Sequence, residues 1–339
     1  MTQISSARRF LLPLVPLYRL ALALRELRLG SPLEPVRRLR FPVVSIGSLS
    51  AGGSGKTPLT IALAQALTQR GLRVDVLSRG YGRHSQAVVR INPNGTAEEF
   101  GDEPLLIARE AGVPVYVAAR RYQAGLMAEA ASHNSGGAVV HLLDDGFQHR
   151  QLHRDVDILL LDRNDWSTEQ LLPAGNLREP VEAIRRATII AISADDTELG
   201  SELKASGWQG SVWRLRRRME VSPNDGPVVA FCGIARPEQF FVGLQAAGLQ
   251  VASRIAFPDH HHYKTHDLDC IQEAARSIRA TAFVTTEKDR VRLGKHAAAF
   301  MEAQPLKTAG LRIEIDDEPT AVNWLGDRLA NLPSLNSKP

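Results

Sequence analysis

The chain has 339 residues, a length more typical of two domains than of one. Apolar residues make up 44% of it and charged residues 23%, as in an ordinary soluble globular protein, and no stretch approaches the roughly 18 consecutive apolar residues of a membrane-spanning helix. The two cysteines, Cys232 and Cys270, have neither metal-ligand nor redox spacing, which fits a reducing compartment, and no secretory signal is recognisable.

The segment from Phe10 to Leu29 is predicted to form an amphipathic helix. Its leucines recur at helical spacing, at Leu17, Leu20, Leu24 and Leu27. Up to Arg40 the chain carries eight arginines against two glutamates, a charge asymmetry that favours an anionic partner. Basic amphipathic helices lie in a membrane interface in some proteins and pack on the protein's own core in others. The helical pattern alone leaves both possibilities open.

Short apolar strands then alternate with helices. The predicted strands are 41–46, 72–77, 113–117, 138–143, 156–161 and 188–192, and the predicted helices are 58–70, 103–111 and 122–132. The strands are near-continuous runs of Val, Ile and Leu, which is typical of parallel strands covered on both faces. The pattern predicts an α/β fold with a doubly wound parallel sheet.

A change of composition divides the chain. Residues 211–226 collect charged and turn-forming residues and are predicted to be a linker. The alternation then resumes, with strands at 228–232, 251–257, 282–285 and 311–315 and helices at 237–247 and 268–279. We therefore predict four parts: a basic amphipathic helix over 1–36, a core domain over 37–210, the linker, and a smaller α/β domain over 227–335.

A glycine-rich loop stands between the first strand and the first helix of the core domain. It reads Ser50, Ala51, Gly52, Gly53, Ser54, Gly55, Lys56 and Thr57. In this context backbone N–H groups and the helix N-terminus surround phosphate oxygens, the lysine reaches the β- and γ-phosphates, and the threonine hydroxyl binds Mg²⁺. The loop therefore predicts a P-loop that binds a nucleoside triphosphate.

Two details qualify this loop. The strict P-loop pattern has glycine where this chain has Ser50, and the pair Gly52-Gly53 offers the missing backbone freedom instead. The guanine-reading motif Asn-Lys-x-Asp is not found, since residues 286–289 (TEKD) have the Lys and Asp with the wrong spacing and no Asn. ATP is therefore favoured over GTP.

Two acidic motifs are candidates for the chemistry. Asp144 and Asp145 end an apolar strand, where an aspartate beside a P-loop coordinates Mg²⁺ directly or through water, or caps the turn at Gly146. Asp102 opens a helix after Gly101, where an aspartate is commonly an N-cap. Asp102 is alternatively the group that accepts the proton of an attacking hydroxyl.

A histidine run marks the smaller domain, with His260, His261 and His262 following Asp259. Imidazoles bind zinc, but three consecutive histidines point in different directions and no cysteine lies near. An acid–base histidine polarised by a carboxylate is the more economical interpretation.

Several motifs together resemble those of the tetraacyldisaccharide 4'-kinases of lipid A synthesis. The loop through Thr57-Pro58 has that family's form, so Ser50 is no defect within it. The other motifs follow in the family's order: 78–83 (SRGYGR), 101–104 (GDEP), 144–149 (DDGFQH), 172–180 (LPAGNLREP), 231–241 (FCGIARPEQFF), 257–260 (FPDH) and 285–289 (TTEKD). Each motif is short, but the ordered set from the N-terminal helix to about Asp289 is specific.

The resemblance implies an enzyme that moves the γ-phosphate of ATP, with Mg²⁺, to the 4'-hydroxyl of a tetraacyldisaccharide 1-phosphate, forming lipid IVA. It also implies a peripheral protein on the cytoplasmic face of the bacterial inner membrane, held partly by the N-terminal helix. We expect no nucleic-acid partner, because no recognition motif is present, and no obligate protein partner is evident.

The family's site residues carry over position by position. Asp102 is the expected base and His260 its partner in relaying the proton, while Lys56 and Thr57 keep their P-loop roles. Metal-side groups are Thr57, Asp144, Asp145 and Glu179. Residues expected to line the site are Tyr81, Arg121, Gln148, His149 and Arg178.

Two other functions are compatible with parts of the sequence. A soluble small-metabolite kinase would also use the P-loop, although the DDGFQH motif and the basic helix argue against it. A nucleotide-dependent metal chaperone would use the histidine run and would contain stoichiometric zinc or nickel.

Overall fold

The structure, a computed structural model, describes residues 8, 10–132, 137–168, 170–301 and 304–332. The first residues of the predicted N-terminal part and the end of the predicted smaller domain at 335 lie outside the described residues. The helices are α1 (Val15–Arg28), α2 (Lys56–Gln69), α3 (Ala97–Phe100), α4 (Asp102–Ala111), α5 (Arg121–Ser132), α6 (Arg163–Thr168), α7 (Leu199–Ala205), α8 (Pro237–Ala246), α9 (Thr265–Ile278), α10 (Glu287–Leu293), α11 (Ala297–Met301) and α12 (Glu318–Ala330). Short 3₁₀ turns occur at Leu12–Leu14, Val181–Arg186 and Gly294–His296.

The strands form one twelve-stranded sheet across the described residues. They are β1 (Val43–Ser48), β2 (Arg73–Ser78), β3 (Val89–Arg90), β4 (Val115–Val117), β5 (Val139–Asp144), β6 (Val156–Leu160), β7 (Ile189–Ser193), β8 (Ser211–Glu220), β9 (Pro227–Cys232), β10 (Gln250–Ala256), β11 (Ala282–Thr286) and β12 (Leu306–Ile315). Their spatial order is β10-β9-β11-β12-β8-β7-β6-β1-β5-β2-β4-β3, and neighbours are parallel except β12–β8 and β3–β4. The predicted α/β fold with a parallel sheet is confirmed.

The apolar runs explain the parallel pairing. Strands β1, β5 and β6 are buried along their whole length, as expected for strands covered by helices on both faces. Helix α2 places Leu59, Leu63 and Leu67 fully in the core at helical spacing. Each predicted helix and strand is observed, with ends that shift by a few residues.

The two parts of the sheet are joined by strands rather than by an irregular linker. Residues 211–226, predicted as the linker, contain β8, which pairs with β7 on one side and β12 on the other. Strand β12 pairs with β11 through its first residues and with β8 through its last ones. We refer to the part built on β1–β7 as the larger lobe, to the part built on β9–β11 as the smaller lobe, and to β8 and β12 as the connecting strands.

The chain returns to the larger lobe at its end. Val322 and Leu325 of α12 are fully buried in the same core as Leu59 and Ile46, and Arg70 of the larger lobe pairs with Glu318 at 3.4 Å. The end of β12 and α12 thus pack with the larger lobe, although the sequence assigns residues 310–330 to the smaller domain. The division into domains itself stays a prediction.

Candidate active site

The glycine-rich loop leaves β1 at the carboxyl edge of the sheet and runs directly into α2. Gly52, Gly53 and Gly55 have φ angles of 75°, 65° and 93°, in the left-handed region that side chains disfavour. The loop leads directly into the start of α2, where the helix dipole and free backbone N–H groups favour an anion. The strand–loop–helix context predicted for a P-loop is therefore present.

Lys56 is folded onto its own loop. Its Nζ lies 3.1 Å from Ser48 Oγ and 3.2 Å from Ser54 Oγ, and 3.5 Å from Asp145 Oδ1. The loop is also tied from outside, because Ser50 Oγ donates to the buried Asp165 at 2.7 Å. Ser50 thus has a structural use that a glycine at this position would lack.

Two arginines from beyond the predicted core domain reach the loop. Arg217 of β8 donates to the Ser54 carbonyl at 2.8 Å. Arg236 of the smaller lobe lies across Gly53, where a Cβ atom would come within 2.8 Å of its side chain, and it pairs with Asp162 at 2.9 Å. These arginines were not identified from the sequence, although Arg236 lies inside the 231–241 motif.

Asp144 ends β5 and is fully enclosed. Among the described residues, its two oxygens accept hydrogen bonds from two hydroxyls, Thr60 Oγ1 and Ser78 Oγ, each at 3.3 Å. Burial raises the pKa of Asp144 to about 7, and the charges of Glu103 and Asp145 add to the effect. A buried carboxylate that is bonded to hydroxyls, one of them from Thr60 of α2, fits a hard divalent cation such as Mg²⁺. Thr57 at the start of the same helix is also buried.

Asp145 follows immediately in a left-handed backbone conformation, with φ of 48°. Arg178 Nη1 donates to both of its oxygens, at 3.0 and 2.9 Å, and also reaches Gln148 Oε1 at 3.4 Å. Burial opposes ionisation of Asp145, but Lys56 and Arg178 outweigh it and hold its pKa below the usual range. Gln148 donates to the Ser48 carbonyl at 3.0 Å, so the predicted residues Asp145, Gln148 and Arg178 lie together beside the loop.

Asp102 and His260 meet across the two lobes. His260 Nδ1 lies 3.2 Å from Asp102 Oδ2, although 158 residues separate them in the chain. Burial opposes the charge of Asp102, but its hydrogen bond to His260 and the guanidinium of Arg292 hold its pKa well below the usual range. The same hydrogen bond raises the pKa of His260, whose backbone is left-handed with φ of 58°.

The pair is supported by residues of α10 that sequence reasoning did not single out. Arg292 donates to Asp102 Oδ2 at 2.6 Å, to the Gly233 carbonyl at 2.5 Å and to Asp289 at 3.0 Å. Lys288 forms an ion pair with Glu103. In the sequence, the 285–289 motif includes Lys288 but stops short of Arg292, which lies about one helical turn beyond Asp289.

The remaining predicted lining residues differ in their surroundings. Tyr81 is 62% exposed and its ring lies 5.2 Å from that of His260. Burial lowers the pKa of Arg121 to about 10, and the neighbouring charge of Arg79 lowers it further. Burial and the charge of Arg121 lower the pKa of His149 to about 3. His149 is thus neutral in a strongly cationic pocket, as expected beside a site for anionic ligands.

Glu179 has a cation partner of its own. It is buried and forms an ion pair with Arg186, close to Tyr18 of α1. Among the described residues no three His, Cys, Asp or Glu side chains are arranged to hold a metal ion. The histidine run is likewise divided, because His260 pairs with Asp102 and His261 with Asp267 at 3.0 Å.

Helix α1 packs against this same region. The Tyr18 hydroxyl donates to the Arg178 carbonyl at 2.8 Å, Arg25 donates to the Gln148 carbonyl, and Glu26 pairs with Arg150. The leucine stripe of the helix, by contrast, is exposed, at Leu17, Leu20, Leu24 and Leu27. Over the described residues no helix is long and apolar enough to cross a bilayer.

Comparison with known proteins identifies the family. Residues 7–330 match the LpxK family, described as Tetraacyldisaccharide-1-P 4'-kinase. The chain is 40% identical to the tetraacyldisaccharide 4'-kinase of Koribacter versatilis, covering 92% of this chain and 96% of that one, and 36% identical to that of Polaromonas naphthalenivorans, covering 96% and 93%. The solved structure of LpxK from Aquifex aeolicus in complex with ATP is 30% identical, with a TM-score of 0.72 over 95% of this chain and 99% of that chain. The chain belongs to this family.

Proposed function

We propose that this member of the LpxK family transfers the γ-phosphate of ATP to the 4'-hydroxyl of a tetraacyldisaccharide 1-phosphate, forming lipid IVA in lipid A biosynthesis. The observation that carries the proposal is the convergence of the P-loop, the Asp144–Asp145 pair and the Asp102–His260 pair within a chain of this family. The metal-chaperone alternative is not favoured, since the histidines are committed to separate carboxylates.

Asp102 is the proposed base. Its low pKa keeps it ionised at neutral pH but also makes it a weak base, so we propose that it accepts the proton of the sugar hydroxyl only as that oxygen attacks the γ-phosphate and becomes acidic. His260 touches the same carboxylate and is the proposed route by which the proton leaves Asp102. Because His260 comes from the smaller lobe, the pair is complete only when the two lobes are together.

The P-loop groups are proposed to hold the triphosphate. Backbone amides of residues 52–57 and the Lys56 ammonium would bind its oxygens and stabilise the charge that develops during transfer. Mg²⁺, when bound, supplies positive charge to the phosphate oxygens, and Thr57 and Asp144 are the residues proposed to hold it, with Asp145 beside them. Glu179 remains a prediction, and its pairing with Arg186 favours a role in fixing the 172–180 loop.

The activity is tested by phosphate transfer from γ-labelled ATP to the purified tetraacyldisaccharide 1-phosphate in detergent. We expect labelled lipid product with the wild-type chain and loss of it with K56M. Transfer that is absent at every lipid concentration, in a protein that still binds ATP, would contradict the proposed acceptor.

The acceptor is a lipid, and we propose that α1 brings the site to the cytoplasmic face of the inner membrane. The support is the combination of an exposed leucine stripe with arginines on one helix that also contacts Gln148 and Arg178. Apolar side chains of such a helix insert below the headgroups, while arginines contact anionic lipids. The helix would thus hold the lining residues next to the surface that supplies the substrate.

The membrane proposal is tested without removing the helix. L24E places a charge on the stripe, and L126E on α5 is the matched control, because the two leucines are 47% and 45% exposed. We expect L24E to weaken binding to phosphatidylglycerol-containing vesicles about tenfold, while L126E binds as the wild type does. If L24E and L126E bind the vesicles equally well, α1 has a purely structural role.

A further inference from the structure

We propose that Arg312 is a positioning residue that aligns the Asp102–His260 pair by tying helices α4 and α10 to the connecting strands. The proposal deepens the function given above and rests on it. Arg312 lies on β12, at a distance in the sequence from every motif of the site. It does not itself touch the reacting groups.

Arg312 joins three carboxylates from three elements. Its Nη2 lies 2.6 Å from Glu287 at the start of α10 and 3.2 Å from Glu110 near the end of α4. Its Nε lies 3.2 Å from Glu220 on β8. One guanidinium therefore connects the larger lobe, the smaller lobe and the connecting strands.

The two helices held by Arg312 carry Asp102 and the cations that hold the dyad in place. Helix α4 begins with Asp102 and Glu103, and α10 carries Lys288 and Arg292. At one end of this helix pair, Arg292 binds Asp102 and Lys288 binds Glu103. Arg312 makes the second cross-link, through Glu110 and Glu287, so the helices are fixed relative to one another at two separate places.

Gly310 makes room for this arrangement. A Cβ atom there would lie 2.5 Å from Glu287 Oε1 and 2.8 Å from Arg312 Nη1. Its φ angle is not in the left-handed region, so the backbone itself does not demand glycine. The side-chain cluster is therefore the reason that a glycine suits this position.

The charges in this cluster predict what happens when Arg312 is removed. With Arg312 in place, three carboxylates share one cation, and Glu110 and Glu287 come close enough that the charge of Glu287, after burial, raises the pKa of Glu110. Without the guanidinium the carboxylates of α4 and α10 repel each other across the lobe junction. The expected consequence is separation of the helices and misalignment of Asp102 with His260.

The cluster lines a cleft of about 540 Å³, and the side chains of Arg312, Glu110 and Glu220 are partly exposed, so salt has access to them. Repulsion between accessible carboxylates is screened at high ionic strength, whereas a packing defect is not. Salt dependence therefore separates the proposed electrostatic role from a merely structural one.

The test compares R312M with R312M/E287Q in the full-length chain. R216M is the matched control, because Arg216 pairs with Asp316 at 2.6 Å on the same connecting strands without bridging the lobes. We expect R312M to lower kcat about tenfold while KM for ATP changes by less than about twofold, and we expect E287Q or added salt to restore most of the loss. R216M should keep the wild-type kcat.

A dye pair on Cys270 of α9 and on A131C of α5 reports the distance between lobes independently of activity. R312M should lengthen it and R312M/E287Q should restore it. A wild-type kcat in R312M, a loss that neither E287Q nor salt reverses, or an unchanged distance overturns the proposal. If the wild-type chain itself shows no lipid kinase activity, the proposed function fails, whereas the distance measurement still decides whether Arg312 sets the lobe arrangement.

Discussion

Replacing Asp102 with Asn tests the proposed base with the least change of shape. The amide keeps the volume and one acceptor oxygen but no longer accepts a proton as a carboxylate does. Loss of a general base typically costs 10²- to 10⁴-fold in rate, or about 3–5.5 kcal/mol in the activation barrier. We therefore expect kcat of D102N to fall at least about a hundredfold with little change in ATP affinity.

The stability cost of the same change is limited by neighbouring groups. Arg292 loses one partner but keeps Asp289 at 3.0 Å and the Gly233 carbonyl at 2.5 Å. Because the cation remains paired, we expect about 1–3 kcal/mol of lost unfolding free energy, the range for a buried group that loses one hydrogen-bond partner. The protein should therefore stay folded at the assay temperature.

The assay follows label transfer to the lipid, binding of a fluorescent ATP analogue and urea unfolding on the same preparations. D155N is the matched control, since the Asp155 side chain is 6% exposed, as is that of Asp102, and pairs with Arg38 at the opposite edge of the sheet. A D102N enzyme that retains kcat within about threefold of the wild type would refute the base assignment. So would a D155N enzyme that loses as much activity at equal stability.

Three further predictions concern other groups. K56M should lower kcat/KM at least about a hundredfold, because the ammonium beside Ser48 and Ser54 is the proposed phosphate ligand, and steady-state kinetics checks it. The pKa of His260 is raised in the folded protein, so the charged imidazole stabilises the fold fully below the unfolded pKa near 6.5 and stops doing so as pH rises through the folded pKa. The free energy of unfolding of the wild type should therefore exceed that of H260Q by less at pH 9 than at pH 6. R236A should weaken binding of an ATP analogue about tenfold, because the Arg236 side chain lies on Gly53 of the P-loop, whereas the control R254A on β10 should bind as the wild type does. If R236A and R254A bind the analogue equally well, Arg236 serves only to pair with Asp162.

The core of the larger lobe could be predicted from the sequence because its signals are local. Continuous apolar runs mark β1, β5 and β6, and the glycines with Lys56 and Thr57 mark the turn into α2. The site residues were reached through ordered short motifs, and the structure brings Asp102 and His260 into contact as expected. Glu179, placed by the same resemblance among the metal-side groups, pairs with Arg186, and its metal-side role stays a prediction.

Connections between distant parts of the chain could not be predicted. Residues 211–226 were predicted as a linker because of their arginines, but they contain β8, in which Trp213 and Leu215 are buried and Arg217 contacts the P-loop. Helix α12 was left out, although its buried leucines pack at helical spacing. Arg312 and Glu110 are 202 residues apart, and a single sequence carries no signal for such a pair.

Charge compensation accounts for the way these parts converge. Four acids around the site are each held by a cation: Asp102 by Arg292, Asp145 by Lys56 and Arg178, Glu103 by Lys288, and Glu179 by Arg186. Two buried aspartates have hydroxyl partners instead: Asp165 accepts from Ser50, and Asp144 accepts from Thr60 and Ser78. Burial raises the pKa of both, that of Asp144 to about 7. A buried carboxylate of this kind is stabilised either by a proton or by a cation that joins it. Because Asp144 ends β5 beside the P-loop that we propose to hold the triphosphate, we propose it as a metal ligand, whereas the metal-side role of Glu179 stays a prediction.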